Sequence, residues 1–337
     1  MREGAWADGV VGVFPTVTWP SHATLVTGVP PEVHGILANN QPGTQERYWY
    51  ASLLKAPTLW DACRERGLKS AAIHWPVTVG AAIDYNLPEY FKRRRGGGMD
   101  FASMEEKSTP GLVDEITAKH PSFPQEWVDD RVRALATMYV MEHKRPDLTL
   151  LHLIDHDAEA HDNGPFTRHA NAVIEYTDEL LGRILAVTPP DTVVAIVSDH
   201  GFERVEHSAH PAVDGVEAMG FVAVAWTAEA AAKLRELARL GESGVGREIP
   251  REEWRQYAPS RLHNVAAAFE SLPHYQFSDR PVAGERGAHG HWPRRREFRA
   301  TYLLWGPGVK RQRLPEIEMT SIASRLAAIV GLNFPGR

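Results

Sequence analysis

The order of apolar and polar runs along this chain predicts an α/β fold, a doubly wound and mostly parallel sheet with helices on both faces. Three observations carry that expectation. Short β-rich runs, Leu148-Thr-Leu-Leu-His-Leu-Ile154 and Thr192-Val-Val-Ala-Ile-Val197, alternate with stretches of helical period. Each of these runs delivers Asp and His at its end, as strands of an open parallel sheet do when their C-terminal edge holds a site. The 337 residues, 43% hydrophobic and 24% charged, are enough for one large core.

The elements follow in order. Residues 1–7 hold no apolar strand, and Gly4-Ala-Trp-Ala reads as the end of a helix and a turn leading into Val10-Val-Gly-Val-Phe14. Residues 20–27 read as a helix opened by Pro20, since proline in a first turn forfeits no hydrogen bond. A second helix covers 58–66, closed by Gly67, and a strand covers 69–74. Val128, Val132, Leu135 and Tyr139 make one face of a helix over 127–143. After the strand from Leu148 comes a long helix over 167–187, with Val173, Tyr176, Leu180 and Ile184 on one side. Pro189-Pro190 ends it before the strand from Thr192. Ala300-Thr-Tyr-Leu-Leu-Trp305 is a last strand-like run. Two stretches break the rhythm. Residues 91–124 read as a loop-rich excursion with one short helix near 111–119, and residues 203–286 hold an Ala-rich helix over 228–240 and another near 261–271.

A net charge of -6 gives no reason to expect a nucleic-acid polymer or an anionic membrane as partner. The basic runs 92–95 and 294–296 read as solvated faces, although the second lies near His289 in sequence. A single cysteine, Cys63, excludes an intrachain disulfide framework, and no run approaches the length of a membrane span.

The chemistry-bearing residues fall into a few sets. Thr18 stands at the mouth of the first helix and reads equally as an N-cap or as a hydroxyl presented to a phosphate. Asn39 follows 21 residues later, after a turn built from Pro30, Pro31, His34 and Gly35. Asp157 and His161, Asp199 and His200, and His289 bring together the ligand types that suit zinc and related divalent ions. If the strand from Leu148 continues, alternation turns His156 away from Asp157 and leaves Asp155 on the same side. His22 and His34 read as hydrogen-bonded helix and turn residues. His291 reads as a supporting or loop residue, and His207 and His210 stand at the entrance to the second excursion.

With these residues in view, the chain resembles the nucleotide pyrophosphatase/phosphodiesterase-like branch of the alkaline phosphatase superfamily. The matching elements are Pro15-Thr-Val-Thr-Trp-Pro-Ser-His-Ala-Thr-Leu-Val-Thr-Gly28, His34-Gly-Ile-Leu-Ala-Asn39, Asp157-Ala-Glu-Ala-His161, Ser198-Asp-His-Gly201 and Gly287-Ala-His-Gly290. The resemblance implies one alkaline phosphatase-like domain over 1–337, with cap-like insertions at about 91–124 and 203–286. It implies Thr18 as the nucleophile and Asn39 as the amide on a phosphate oxygen. One zinc would be held by Asp157, His161 and His289, and a second by Asp199, His200 and Thr18. The implied reaction is hydrolysis of a phosphodiester or pyrophosphate bond in a nucleotide-like small molecule, through a phosphothreonine. Trp19, next to Thr18, reads equally as a residue stacking on a nucleobase and as a core tryptophan.

In one respect the chain departs from the pattern. The family's second metal also takes an Asp from a first apolar strand followed by Asp-Gly, and Asp8-Gly9 lies only ten residues from Thr18 in a poor context. The chain therefore reads as N-terminally incomplete, lacking that first strand, with a periplasmic or secreted location and a cytoplasmic one both left open. No arginine lies between Arg2 and Arg47, which leans towards diesters or pyrophosphates rather than monoesters. Phosphonoacetate hydrolase-like C–P cleavage, phosphomonoester hydrolysis and a weakly active or non-catalytic metal-binding protein remain as alternatives.

Overall fold

The computed structural model describes residues 3–92, 100–123, 128–241, 243–282 and 286–334. Residues 93–95 of the first basic run, and position 127 at the start of one expected helix, lie outside them. The α/β class holds. Ser70–Ile73 pairs in parallel with Tyr85–Leu87 on one side and with Leu148–Leu151 on the other. A second, mixed sheet runs in the order Gln312–Leu314, Ala5–Ala7, Tyr302–Trp305, Val194–Val197. Among the described residues Leu148–Leu151 and Val194–Val197 each pair on one side only, and Ile196 on the latter is 39% exposed.

Helices fall where their signals lie. Leu59–Glu65 begins at a reciprocal cap, the Thr58 hydroxyl accepting from the Asp61 N–H while the Asp61 carboxylate accepts from the Thr58 N–H. Arg168–Val187 buries Leu180 and Ile184 against Ala134 of Asp130–His143, as the periodicity of both segments requires. No helix among the described residues is long and apolar enough to cross a membrane.

Four local readings are corrected. Ala5–Ala7 is a strand, held between Tyr302–Trp305 and Gln312–Leu314. Partners on both sides outweigh the weak strand preference of Ala-Trp-Ala. The segment expected as a helix over 261–271 is a single turn at Ser260–Leu262 followed by the strand Ala267–Ser271. All five residues of that strand are buried between Val222–Ala225 and Val245–Glu248, and burial on both faces erases the alternation that marks a strand. Phe101–Lys107, within the stretch read as loop-rich, is a helix whose N-cap is Asp100. Finally, Asp155–Asn163 is helical, so the alternation argument for His156 and Asp155 does not apply there.

Residues 216–219, 222–225, 245–248 and 267–271 form a separate four-stranded antiparallel sheet, with the helix Ala228–Leu240 packed on one face through Ala230, Ala231 and Leu234. Phe14, just before the first long helix, packs with Trp254 and Trp292, tying this sheet's other core to the entry of the site.

Candidate metal centre

Thr18 is the first residue of the helix Thr18–Thr27, whose ten residues are all buried. The N-cap is Val17, so the Thr18 hydroxyl does not serve as the cap, and among the described residues it has no hydrogen-bond partner. Gly28 closes the helix at φ 70, a conformation open to glycine at no steric cost. The turn Pro31–His34 then folds back. The Ile36 N–H donates to His34 Nδ1, so Nε2 carries the proton and donates to Thr24 Oγ1 at 3.0 Å. Burial holds the His34 imidazole neutral, down at about 3. This clamp delivers Asn39, whose Oδ1 accepts the Trp19 N–H at 3.0 Å and whose amide NH2 is thereby left to donate elsewhere. Trp19 itself is 3% exposed, with Trp49 edge-on at 5.8 Å and the Arg47 guanidinium 4.4 Å above its ring; here it packs as a core residue does.

The strand Leu148–Leu151 delivers the second component. Asp130 Oδ1 accepts the Ile154 N–H at 2.7 Å, and Asp155 Oδ2 accepts the Asp130 N–H at 3.0 Å. These reciprocal bonds lock the starts of two helices together. Burial and the neighbouring Asp155 push the Asp130 carboxyl up to about 6. Asp157 and His161, four apart on Asp155–Asn163, then share one helix face, with Nε2 and Oδ2 at 3.7 Å. Asp155 is thus engaged with the Asp130 backbone rather than aligned with Asp157.

His161, His200 and His289 are each fixed by a backbone carbonyl. Nδ1 of His161 lies 3.1 Å from Gly287 O, that of His200 3.1 Å from Gly201 O, and that of His289 3.1 Å from Thr16 O. A carbonyl only accepts, so in this arrangement Nδ1 carries the proton and Nε2 presents a lone pair. The Nε2 atoms of His161 and His289 face each other at 3.1 Å, and those of His200 and Asp157 Oδ1 are buried without a hydrogen-bond partner. Opposed lone pairs beside a carboxylate repel unless a cation lies between them. Among the described residues, Asp157, His161 and His289 are the one group of His, Cys, Asp or Glu offering three ligand atoms within 4.8 Å of one another. This donor set fits a divalent ion.

The second expected set is less gathered. His200 Nε2 lies 3.1 Å from Asp199 Oδ2 and 3.9 Å from Asp157 Oδ1, and its ring stacks on His289 at 3.6 Å. Burial opposes ionisation of Asp199, and a positive charge at His200 Nε2, the place a proton takes when no cation is bound, outweighs it and holds the carboxyl far below its ordinary value. Thr18 reaches this pair through His22, whose Nδ1 donates to Thr18 O at 2.9 Å and lies 3.6 Å from Asp199 Oδ2.

Sequence reasoning missed four residues here. Thr16, fully buried, donates to His291 O at 2.9 Å and accepts the Gly290 N–H at 3.1 Å, clamping the His289 loop beside the helix Thr18–Thr27. Beneath His22, His152 packs ring on ring at 4.3 Å and lies 3.3 Å from Glu89, which forms a buried two-pronged ion pair with Arg133. The signals were present: a His inside the apolar run from Leu148, an Arg on a helical face, and a Glu two residues after a strand.

The other candidates lie elsewhere. His291 is sandwiched between Phe221 and Phe298, with Nε2 3.0 Å from Glu203 Oε2. Arg295 is also tied to Glu203, at 3.0 Å. His207 and His210 line a separate cavity of about 560 Å³, which none of the metal-ligand candidates lines. Asp8 is exposed and paired with Arg313.

The profile of the family described as type I phosphodiesterase / nucleotide pyrophosphatase matches residues 1–268. Mouse (Mus musculus) ectonucleotide pyrophosphatase/phosphodiesterase family member 1 is 24% identical over 219 residues, 60% of this chain and 21% of that protein. The venom phosphodiesterase of Macrovipera lebetinus is 22% identical over 345 residues, 91% of this chain and 37% of that protein. The chain thus spans well under half the length of these relatives. Among solved structures, murine ectonucleotide pyrophosphatase/phosphodiesterase 5 is similar at a TM-score of 0.66 and 20% identity, over 100% of this chain and 90% of that one. Its inactive variant in complex with AMP is similar at a TM-score of 0.67 and 19% identity, over the same shares.

Proposed function

The chain belongs to the type I phosphodiesterase / nucleotide pyrophosphatase family, and from that premise we propose that it hydrolyses phosphodiester or phosphoanhydride bonds in nucleotide-like small molecules. One observation carries the reading. Asp157 and His161 on the helix Asp155–Asn163 converge with His289, whose ring is held by the Thr16 carbonyl two residues before Thr18, and the two Nε2 lone pairs and Asp157 Oδ1 are left unanswered. The AMP bound to the murine relative supports a nucleotide-like substrate.

In this proposal the Thr18 hydroxyl releases its proton to solvent and its oxygen attacks phosphorus, and the bond to the leaving group breaks as the Thr18–phosphorus bond forms, the leaving oxygen departing with the electron pair. Water then attacks the phosphothreonine and restores the Thr18 hydroxyl, so two in-line displacements retain the configuration at phosphorus. The Asn39 amide donates to a non-bridging oxygen, where charge grows in each transition state. His22 holds the Thr18 carbonyl and so fixes the first turn. Two divalent ions, zinc being the best match to these donors, would be held by Asp157, His161 and His289 and by Asp199, His200 and Thr18, supplying Lewis acidity at the two ends of the displacement.

Turnover of bis(p-nitrophenyl) phosphate, p-nitrophenyl phosphate and phosphonoacetate, with metal analysis of the same sample, tests the proposal. Preference for the diester supports it. Preference for phosphonoacetate would replace it with C–P hydrolysis, and bound metal without turnover would leave a binding protein.

A further inference from the structure

Arg47 stands apart from the other enclosed arginines. Arg133, Arg295 and Arg299 each pair with a glutamate, at 2.9, 3.0 and 2.8 Å respectively. Arg47 is half-buried, and among the described residues no carboxylate forms an ion pair with it. Its guanidinium instead lies 4.4 Å above the Trp19 ring and 5.6 Å from that of Phe91. Trp19 follows Thr18 directly, and its N–H is held by Asn39. The cation therefore covers the ring of the residue that follows the nucleophile, and the charge of Asp157, from the cluster of candidate ligands, reaches it.

Two acidic groups bear on it without neutralising it. Burial pulls the guanidinium below its ordinary value while the charges of Glu89 and Asp157 act in the opposite direction. Glu89 is already engaged by Arg133, and Asp157 by the histidine cluster. A guanidinium laid over an aromatic face keeps its N–H edge free for a planar or tetrahedral anion. A half-buried cation with no carboxylate partner among the described residues, within reach of the charge of Asp157, calls for an anion supplied by the ligand.

We propose that Arg47 binds a second anionic group on the substrate, next to the scissile phosphoryl group, and so selects phosphoanhydrides over simple diesters. This rests on the reading of the site as a phosphoryl hydrolase. A diester carries one negative charge, which the Thr18–Asn39 pocket takes. A nucleoside di- or triphosphate carries another on the adjoining phosphate, and a two-pronged arginine contact matches it.

The test compares kcat/KM of the metal-loaded wild type and Arg47→Gln on a nucleoside 5′-triphosphate and on bis(p-nitrophenyl) phosphate. The expected loss is about 10- to 100-fold on the triphosphate, as for removal of a charge-assisted contact, with the diester changed less than about twofold. Arg47→Lys, which keeps the charge without the fork, falls between. Equal losses on both substrates would overturn the proposal, because Arg47 would then merely support Trp19; so would no loss on either. Should Arg47→Gln fail to fold, Arg47→Lys is held to the same comparison. Calorimetric binding of inorganic pyrophosphate separates this inference from the reading beneath it. If the wild type turns over no ester but binds pyrophosphate more tightly than Arg47→Gln does, the hydrolase reading fails and the Arg47 site stands. Equal pyrophosphate affinity would remove the site.

Discussion

Replacing Arg133 with Met should destabilise the protein far more than a surface charge would, and the structure sets the scale. The Glu89 side chain is 0% exposed and that of Arg133 5%. Arg133 donates to both Glu89 oxygens, at 2.9 and 3.3 Å, and also to His152 O at 2.9 Å and Val128 O at 3.2 Å. Met keeps the apolar stem but leaves a buried carboxylate with only the His152 side chain at hydrogen-bond distance among the described residues. Removing one partner of such a pair costs about 3–5 kcal/mol, a large part of a total stability of roughly 5–15 kcal/mol. The double variant Glu89→Gln, Arg133→Met leaves no unpaired charge and should recover most of that loss. The pH dependence follows in sign. Burial opposes ionisation of Glu89, but Arg133 and His152 hold its carboxyl below the ordinary value of 4.5, so the pair's stabilisation is full above that value and fades as pH falls beneath it. The gap between wild type and Arg133→Met should therefore be widest near neutral pH and narrow in acid. Urea denaturation followed by the fluorescence of the ten tryptophans measures both effects. A loss below about 1 kcal/mol at neutral pH, against the scale expected of buried pairs, would refute the reasoning.

Three further expectations concern the site. Thr18→Ala should abolish hydrolysis with the fold intact, whereas Thr18→Ser, which restores a nucleophilic oxygen, should keep part of it; wild-type turnover by the Ala variant would replace the mechanism with direct attack by water. Asp157→Ala and His289→Ala should each lose about one bound ion and most of the activity, while His156→Ala loses far less, as metal analysis of purified variants would show. Gly287→Ala should shift the melting temperature and weaken metal binding together, since an added Cβ would lie 2.5 Å from Ala160 O and 2.6 Å from Pro165 Cδ while the Gly287 carbonyl holds His161. Overpacking of this kind costs about 1–3 kcal/mol, and an unchanged ion content would mean that the carbonyl is not what orients the ring.

The part of the candidate site that the structure gathers, Asp157 with His161 and His289, was legible because its chemistry is local. Asp157 and His161 lie four apart, a spacing that places two side chains on one face only if the backbone is helical. The alternation used to set His156 aside assumed a strand instead, and the helix begins at Asp155, one residue after the apolar run ends. Ala5–Ala7 was illegible for the opposite reason. Its partners, Leu303, Leu304 and residues 312–314, lie about three hundred positions later in the chain, and nothing in Ala-Trp-Ala announces them. Glu89 and Arg133, 44 residues apart, were hidden in the same way.

What no residue string shows is what would make ligands of His161, His200 and His289. Their ring protons are committed to three backbone carbonyls, at Thr16, Gly201 and Gly287, and carbonyls carry no side-chain signature. The residue types at those positions matter through shape instead. A Cβ at Gly201 or Gly287 would strike neighbouring backbone, and Thr16 must bond the loop 290–291 with its own hydroxyl while its carbonyl holds His289. The candidate metal centre is therefore specified twice, once by the candidate donors and once by the small or clamped residues that aim them. Histidines placed at the same positions on looser loops would lose the fixed tautomers that turn three rings into lone-pair donors.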